Sequence, residues 1–289
     1  MKVPAAHVMG AAEVRRLLPP RPRESHKGDY GKLLLLCGST GLTGAASLAA
    51  QAALRMGAGL VYLGVPEAVY PIAAGKALCE VVFPLPCDEA GRLSAAAAAP
   101  IRTRLAGMDA VLFGPGLGRS AQLTELLAAV LEASRAPVIL DADGINALCG
   151  HMDLVRGCRQ PVLLTPHDGE FARLTGQAPG PDRAHAAMDL AGALGAVVLL
   201  KGHRTLITDG TKLYRNHTGN PGMATGGSGD VLSGMLAALL GFHLPPLAAA
   251  AAGAYLHGRA GDLAAAKFGE YSLLPSDLPA LLPRLLCRR

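Results

Sequence analysis

Several residue types are scarce in this 289-residue chain. It has no Trp and only five Phe, and charged residues make up 17% of it, while 51% of the residues are hydrophobic. Average domains carry about a quarter charged residues, and disordered chains combine high charge with low hydrophobicity. The composition therefore excludes a disordered chain. It predicts a core of Ala, Leu and Val, which suits helices packed closely on a sheet.

Metal-binding cysteine motifs are also absent. The six cysteines stand at positions 37, 79, 87, 149, 158 and 287, without a CxxC spacing and without histidines at zinc-ligand distances. This pattern indicates reduced cysteines and no zinc site. The first residues contain Arg and Pro where a signal peptide has an apolar core. We therefore expect a cytoplasmic protein.

Basic residues are in modest excess, with a formal net charge of +5, and they are densest at the two ends of the chain. No basic stripe alternates with aromatic residues, so nucleic acid is not an expected partner. A small polyanionic ligand would suit the charge, although the charge alone does not show one.

One uncharged stretch is long enough to cross a bilayer. Residues 231–258 contain no Asp, Glu, Lys or Arg. However, two prolines at 245–246 and two histidines interrupt the stretch. It is better explained by two buried helices, and we expect no membrane partner.

Short apolar runs alternate with helical patterns along most of the chain. Strands are predicted at 33–37, 60–64, 80–83, 110–113, 137–140, 162–165 and 197–201, and helices at 45–56, 94–105, 120–134 and 183–194. A hairpin is predicted at 205–208 and 212–215, and the chain after residue 230 reads as helical to about residue 286. Such alternation predicts a mainly parallel sheet with helices on both faces. Residues 1–24 are expected to form an exposed arm with one short helix at 10–18, and residues 25–289 to form a single domain.

The most distinctive stretch is 220–234, NPGMATGGSGDVLSG. Four glycines stand within nine residues, a carboxylate follows at Asp230, and an apolar helical pattern then begins. A glycine-rich loop that opens into a helix presents unpaired amides and the positive end of the helix dipole, which together bind anions. Asp230 could be the N-cap of this helix. Because a carboxylate repels a bound phosphate, Asp230 is also expected to handle a proton or a metal.

Further polar loops follow the other predicted strands, at the edge where ligands bind in such sheets. GPGLG at 114–118 is either a tight turn or a point of close backbone approach to a ligand. Asp141 and Asp143 could bind a metal, but an Asx turn with a helix cap is the preferred interpretation. His167 either contacts a ligand or is exposed beside a helix capped by Asp168 or Thr165. Lys201 begins a loop that either contacts phosphate or is simply solvated.

Taken together and in order, these loops resemble those of the NAD(P)H-hydrate dehydratase family, in its bacterial ADP-dependent form. The motifs that carry the resemblance are KGDYGK at 27–32, the loop at 38–46, GPGLG, LDADGINAL, LTPHDGEF, LKGHRT and GNPGMATGGSGD. The resemblance covers about residues 25–287. It implies a three-layer α/β/α ribokinase-like fold with a mainly parallel central sheet and a C-terminal helical region.

The resemblance also implies a function, the repair of hydrated nicotinamide cofactors. The enzyme would be a lyase that dehydrates the S-epimer of NADH hydrate or NADPH hydrate at the expense of ADP or ATP. The hydrate hydroxyl would be phosphorylated and phosphate would then leave. The resemblance also implies ADP as the preferred nucleotide, Mg²⁺ and a homotetramer. A separate hydrate epimerase is expected because 27 leading residues cannot hold the epimerase domain that is often fused in this family.

The resemblance also assigns roles to the residues of this sequence that match the family's functional positions. Asp230 would be the catalytic base, and the loop formed by Gly226, Gly227, Ser228 and Gly229 would stabilise the transferred phosphoryl group. Hydrate contacts are expected at Ala45, Gly116, His167 and Asp230, and nucleotide contacts at Lys201, Gly202, His203, Arg204, Thr205 and Gly229. Ser228 stands where the family often has Thr, which keeps the hydroxyl. No metal-ligand set is evident.

Two alternatives share these residues. A small-molecule kinase of the same superfamily, similar to hydroxyethylthiazole kinase, would use Asp230 in the same way and stop at the phosphorylated alcohol. The LTPHDGEF motif favours the dehydratase. A catalytically inactive nucleotide sensor is the other alternative, and the presence of Asp230 argues against it.

Overall fold

The computed structural model describes residues 3–287, so residues 1, 2, 288 and 289 of the expected arm and domain lie outside the described part. Within it a nine-stranded sheet has the order β3-β2-β1-β4-β5-β6-β7-β8-β9. The strands are β1 Lys32–Leu36, β2 Leu60–Pro66, β3 Val81–Leu85, β4 Ala110–Phe113, β5 Val138–Leu140, β6 Val162–Leu164, β7 Val197–Leu200, β8 Leu206–Thr208 and β9 Leu213–Arg215. All neighbouring pairs from β3 to β7 are parallel. The last two strands form the predicted antiparallel hairpin.

Twelve α-helices are found between residues 3 and 287. They are α1 Ala11–Leu17, α2 Thr43–Met56, α3 Tyr70–Lys76, α4 Ala98–Leu105, α5 Ala121–Ala133, α6 Asp143–Leu148, α7 Asp153–Arg156, α8 Asp168–Thr175, α9 Arg183–Leu194, α10 Ser228–Gly241, α11 Pro246–Phe268 and α12 Asp277–Leu286. The predicted helix at 94–105 is a short 3₁₀ turn, Ala95–Ala97, that continues into α4.

The helices cover both faces of the sheet. Successive residues of a strand point to opposite faces, and in β1 Leu33 and Leu35 belong to one hydrophobic core while Leu34 and Leu36 belong to another. The first core is completed by α2, α10 and α11, and the second by α4, α5 and α9. This confirms the predicted three-layer α/β/α fold with a mainly parallel sheet and a helical C-terminal region.

Small residues let the helices approach closely, as the composition predicted. Ala46, Ala49, Ala50 and Ala53 of α2 are fully buried or nearly so. They face α10, where a Cβ added at Gly234 would lie only 2.1 Å from the Ala49 carbonyl oxygen. A side chain at residue 234 would therefore push the two helices apart.

The uncharged stretch 231–258 forms most of α10 and the first half of α11, and most of it is buried. The prediction of two buried helices is confirmed. Over residues 3–287 no helix combines the length and the apolar character that a bilayer crossing requires. All six cysteines are in the described part and none forms a disulfide.

The N-terminal arm packs against the body of the protein. Its helix α1 is close to the predicted position, but Met9 and Val14 are buried, so the expectation of an exposed arm is wrong at these residues. His7 pairs with the edge of β9 through two backbone hydrogen bonds: its N–H donates to Leu213 O and its carbonyl oxygen accepts from Arg215 N.

Candidate active site

The strand order reverses at the centre of the sheet, between β1 and β4. The chain runs outward from β1 to β3 on one side and from β4 to β9 on the other. Connections on the two sides diverge at such a switch point and leave a crevice beyond the carboxyl ends of the strands, where ligands bind. The loops singled out in the sequence follow β1, β4, β5, β6 and β7, so the topology brings all of them to this edge.

A large cavity of about 1170 Å³ opens at the β5–β9 part of the edge. Its wall includes the loop at 201–205, the glycine-rich loop, and residues of the β9–α10 connection and of α11. The expected site residues that line it are His167, Lys201, Gly202, His203, Arg204, Thr205, Gly226, Gly227, Ser228, Gly229 and Asp230. The structure therefore brings most of the expected site residues together.

Ala45 and Gly116 form a separate group at the switch point. A Cβ added at Gly116 would lie 2.9 Å from the Ala45 Cβ and 2.9 Å from the Leu42 carbonyl oxygen, and Gly116 has a positive φ of 66°. The first turn of α2 and the loop after β4 therefore touch at these two residues. Neither residue belongs to the wall of the large cavity, whereas Asp230 does.

The glycine-rich loop meets α10 at a left-handed residue. Gly227 is the N-cap, with φ 103°, and the helix begins at Ser228. Asp230 is the third residue of the first turn, so the interpretation of Asp230 as an N-cap is wrong. Its position in the first turn places the carboxylate beside free amides and the positive end of the helix dipole.

The Asp230 carboxyl group has an unusual protonation equilibrium. Burial raises its pKa, the Asp141 carboxylate raises it further, and the nearby Lys201 ammonium opposes them; the resulting pKa is about 7. A carboxyl group with a pKa near the working pH is well suited to general base catalysis, because it is partly ionised and still basic enough to hold a proton. The site can therefore remove a proton from a hydroxyl group held next to an anion-binding loop.

Lys201 is held by two buried acids. Its Nζ lies 2.8 Å from Asp141 Oδ1 and 3.5 Å from Glu170 Oε2. Although burial alone would lower the pKa of Lys201, the two carboxylates outweigh it and the pKa is raised. The Asp141 carboxylate also accepts a hydrogen bond from Thr165 Oγ1 at 2.8 Å. Lys201 is therefore a permanently charged cation fixed at the wall of the cavity.

The two aspartates after β5 act differently from the Asx turn and helix cap that their spacing suggested. A turn is present, but it is closed by backbone, with Gly144 N–H donating to the Asp141 carbonyl oxygen, and Ala142 is the N-cap of α6. The Asp141 carboxylate pairs with Lys201 instead. Asp143 accepts a hydrogen bond from Gly118 N at 2.8 Å and so fixes the GPGLG loop. The preferred interpretation is wrong for both side chains, because the main donors to them, Lys201 and Gly118, are distant in sequence.

His167 caps its own helix. Its Nδ1 accepts hydrogen bonds from Gly169 N and Glu170 N, and Glu170 in return accepts one from His167 N at 2.9 Å. Asp168 and Thr165 are not the cap, contrary to one of the two expectations. The ring is about half exposed and lines the cavity, although its Nε2 lies 3.3 Å from Glu170 Oε1. The exposed part of the ring can therefore contact a ligand.

Glu170 and His257 are site residues that the sequence reasoning missed. Glu170 is buried and touches both His167 and Lys201. His257, on α11, lies with its Nε2 3.4 Å from Ser228 Oγ. Burial lowers the pKa of His257 to about 4, so it is neutral at pH 7 and can orient the Ser228 hydroxyl. Glu170 could have been found from the three-residue spacing to His167, which is typical of a capping box; no local signal identifies His257.

Two buried carboxylates of the site, those of Asp141 and Glu170, are already engaged by protein donors. In the described chain no three His, Cys, Asp or Glu side chains are grouped so as to hold a metal ion. The cavity therefore offers an anion loop, a fixed lysine and a base.

The parallel sheet with its anion loop and acid at the switch-point edge defines a ribokinase-like α/β protein. A solved ribokinase-like superfamily protein from Enterococcus faecalis matches 97% of the chain with a TM-score of 0.84 at 26% identity. A hydroxyethylthiazole kinase from Pyrococcus horikoshii matches with a TM-score of 0.63 at 16% identity over 89% of this chain and 90% of its own, which shows the shared fold alone.

The family described as NAD(P)H-hydrate dehydratase matches residues 33–284, and the chain belongs to it. A bifunctional NAD(P)H-hydrate repair enzyme Nnr of Moorella thermoacetica is 46% identical over 96% of this chain and 53% of its own length. An ADP-dependent (S)-NAD(P)H-hydrate dehydratase of Neisseria meningitidis is 39% identical over 84% of this chain and 80% of its own. The chain spans about half the length of most of the curated relatives it matches.

A solved ADP/ATP-dependent NAD(P)H-hydrate dehydratase of Bacillus subtilis, co-crystallised with ATP and Mg²⁺, is 33% identical to the chain. The structural match covers 97% of each of the two chains, with a TM-score of 0.84.

Proposed function

We propose that the chain dehydrates the S-epimer of NADH hydrate and NADPH hydrate at the expense of a nucleotide, preferably ADP, and so repairs the damaged cofactor. The observation that carries the proposal is the position of Asp230, a half-buried base with a pKa of about 7 beside Lys201 and the amides of the glycine-rich loop. The names of the relatives from Neisseria meningitidis and Bacillus subtilis support the substrate and the nucleotide.

The proposed reaction has two steps. Asp230 takes the proton of the hydrate hydroxyl while the hydroxyl oxygen attacks the terminal phosphorus of ADP. The new O–P bond forms, and the bond between this phosphorus and the bridging oxygen breaks, so that AMP leaves. The C–O bond then breaks, phosphate leaves with the bonding electrons, and a proton lost from the neighbouring ring carbon restores the dihydronicotinamide. The net products are AMP, phosphate and NADH or NADPH.

This chain contributes mainly position and charge, since phosphoryl transfer needs little covalent chemistry from the protein. The amides of Gly226, Gly227, Ser228 and Gly229 would stabilise the transferred group, and Lys201 to Thr205 would hold the nucleotide. Ala45, Gly116 and His167 would contact the hydrate across the switch point. Mg²⁺ would be held by the nucleotide phosphates, where it would neutralise their charge.

Other parts of the proposal concern the whole protein. Residues 25–289 would act as one catalytic domain behind the arm at 1–24, supported by the single continuous sheet. We also propose a cytoplasmic homotetramer, which sedimentation velocity would test. A hydrate epimerase would be its functional partner and would supply the S-epimer; the word bifunctional in the names of several relatives supports a second activity on the same substrate.

The test is an assay of the purified protein with NADH hydrate, Mg²⁺ and either ADP or ATP. We expect absorbance at 340 nm to return and phosphate to be released, faster with ADP. If the hydrate persists while hydroxyethylthiazole or another alcohol becomes phosphorylated, the protein is a kinase. If nucleotide binds and no group is transferred to any alcohol, the proposal fails in favour of a sensor.

A further inference from the structure

Two arginines lie close in sequence to the expected hydrate contacts Gly116 and His167 and outside the wall of the large cavity. Arg119 directly follows the loop at 114–118 that extends from β4, and Arg173 lies on α8, the helix that His167 caps. Both residues are exposed to solvent. They follow β4 and β6, which are separated only by β5, and two strand spacings are roughly 10 Å.

A chain of hydrogen bonds ties these residues to one another. Arg173 Nε donates to Asn146 Oδ1 at 2.9 Å, Asn146 Nδ2 donates to Asp143 Oδ1 at 3.1 Å, and Asp143 Oδ2 accepts from Gly118 N at 2.8 Å. Arg119 is the next residue after Gly118. The loop after β4, the first turn of α6 and the last turn of α8 therefore form one connected unit.

The backbone of Arg119 is held independently. Its carbonyl oxygen accepts a hydrogen bond from Arg92 Nη1 at 2.7 Å, and Arg92 is in turn paired with Asp88 at 2.9 Å. The base of the Arg119 side chain is thus anchored from both sides, while the guanidinium group is left to project from the loop.

The two guanidinium groups share one electrostatic neighbourhood, because both lower the pKa of the half-buried Cys149, against the larger effect of its burial. Neither of them forms an ion pair with any carboxylate of residues 3–287, and the Arg119 guanidinium donates no hydrogen bond within this part. Asp143 lies near, but its two oxygens already accept from Gly118 and Asn146. The pair is therefore a local excess of positive charge.

The dinucleotide hydrate supplies matching negative charge. Its reactive ring must reach Asp230, and the remainder carries a pyrophosphate and, in NADPH hydrate, an additional 2′-phosphate. At the nucleotide end of the cleft, Lys201 and Arg204 line the cavity. Guanidinium groups are the side chains best suited to bind phosphate oxygens, and Arg119 and Arg173 stand three residues beyond Gly116 and six beyond His167. We propose that Arg119 and Arg173 form a binding site for the phosphate groups of the dinucleotide hydrate.

This inference rests on the proposed function and is tested by steady-state kinetics with both hydrates. Arg119→Gln and Arg173→Gln are each expected to raise the hydrate KM about tenfold, the effect of losing one charge-assisted hydrogen bond, with kcat and the ADP KM unchanged. Arg173→Lys, which keeps the charge, is expected to recover part of the loss. Intact NADPH, titrated by calorimetry as a non-reacting analogue, should lose affinity in the same order.

The controls separate binding from structure. Arg135→Gln removes the same charge from an exposed residue that precedes β5, at the opposite edge of the sheet, and should change no constant. Asn146→Ala breaks the support of Arg173 without removing a cation; a rise as large as that of Arg173→Gln would make the role of Arg173 structural and overturn the proposal.

The two hydrates identify the phosphate. A rise confined to NADPH hydrate assigns the pair to the 2′-phosphate, and an equal rise with NADH hydrate assigns it to the pyrophosphate. Unchanged KM values in an active enzyme refute the arginine site alone, whereas a wild-type protein that dehydrates neither substrate refutes the proposed function.

Discussion

Lys201 Nζ and Asp141 Oδ1 are joined at 2.8 Å, and only 19% and 2% of the two side chains are exposed. Charges taken out of water are stable only when they are paired, so each residue depends on the other. The pair links the strand ends of β5 and β7, on either side of the loop that carries His167. A residue expected to bind nucleotide is thus also part of the structure that holds the site together.

The first prediction follows from this pair. Lys201→Met leaves the Asp141 and Glu170 carboxylates buried without a counterion, and we expect the free energy of unfolding to fall by about 3–5 kcal/mol. Adding Asp141→Asn removes one of the unpaired charges, so the double variant should be more stable than Lys201→Met alone. Urea denaturation measures both. A double variant whose loss equals the sum of the two single losses would show that the residues are not coupled.

The second prediction concerns the proposed base. Asp230→Asn keeps the size of the side chain but cannot accept a proton, so kcat is expected to fall by a factor of about 10²–10⁴ while ADP binding, measured by calorimetry, is kept. Asp189→Asn, an exposed change on α9, is the matched control. Wild-type kcat/KM should rise with pH and reach half of its maximum near pH 7, where Asp230 ionises. Turnover retained by Asp230→Asn would remove the base role.

The third prediction links the same carboxyl group to stability. Its pKa is about 7 in the folded protein and about 3.9 in an unfolded chain, so the protonated form favours folding. This contribution is present below about pH 4 and is lost as the pH rises through 7. Asp230→Asn mimics the neutral acid at every pH. Its Tm should equal that of the wild type near pH 4, exceed it increasingly up to pH 7, and keep a constant lead above pH 8. A lead that does not vary with pH would contradict the raised pKa.

The fourth prediction compares two neighbouring glycines. Gly227 has φ 103°, and an added Cβ would lie 2.7 Å from Leu48 Cδ1, whereas a Cβ at Gly226 would meet nothing within 4 Å. Gly227→Ala should therefore cost about 1–2 kcal/mol of stability and raise the ADP KM by distorting the loop. Gly226→Ala should be neutral for folding. Thermal denaturation of both variants tests the contrast. Equal losses of stability would show that the loop does not require the positive φ at residue 227.

Most of the fold could be predicted from the sequence because its periodicity is strong. The runs that became β1, β4 and β7 are continuous and apolar, as buried parallel strands require, and their ends were placed within one residue. β3 was harder to delimit, since it contains Pro84 and extends to Leu85. Proline is tolerated there because β3 is an edge strand, a property that depends on topology.

The site was only partly predictable. The loops were located because glycine and acidic residues at strand ends are local signals. The partner of Asp141 was missed because Lys201 lies 60 residues away in sequence, and the position of His257 beside Ser228 depends on how α11 packs against α10. His167 lines the cavity, and its predicted contact with the hydrate stays a prediction. Its role as a cap depends on the orientation of the ring, which the sequence does not give.

The hydrogen bonds between His7 and β9 have a consequence for the behaviour of the protein in concentrated solution. β9 is the outermost strand of its side of the sheet, and unpaired edges of this kind recruit strands from other molecules. His7 occupies that edge with backbone hydrogen bonds to Leu213 and Arg215, and its ring packs edge-on against Tyr214. The segment around His7 thus shields this edge from other molecules, and a chain shortened past His7 would lose solubility before it lost activity.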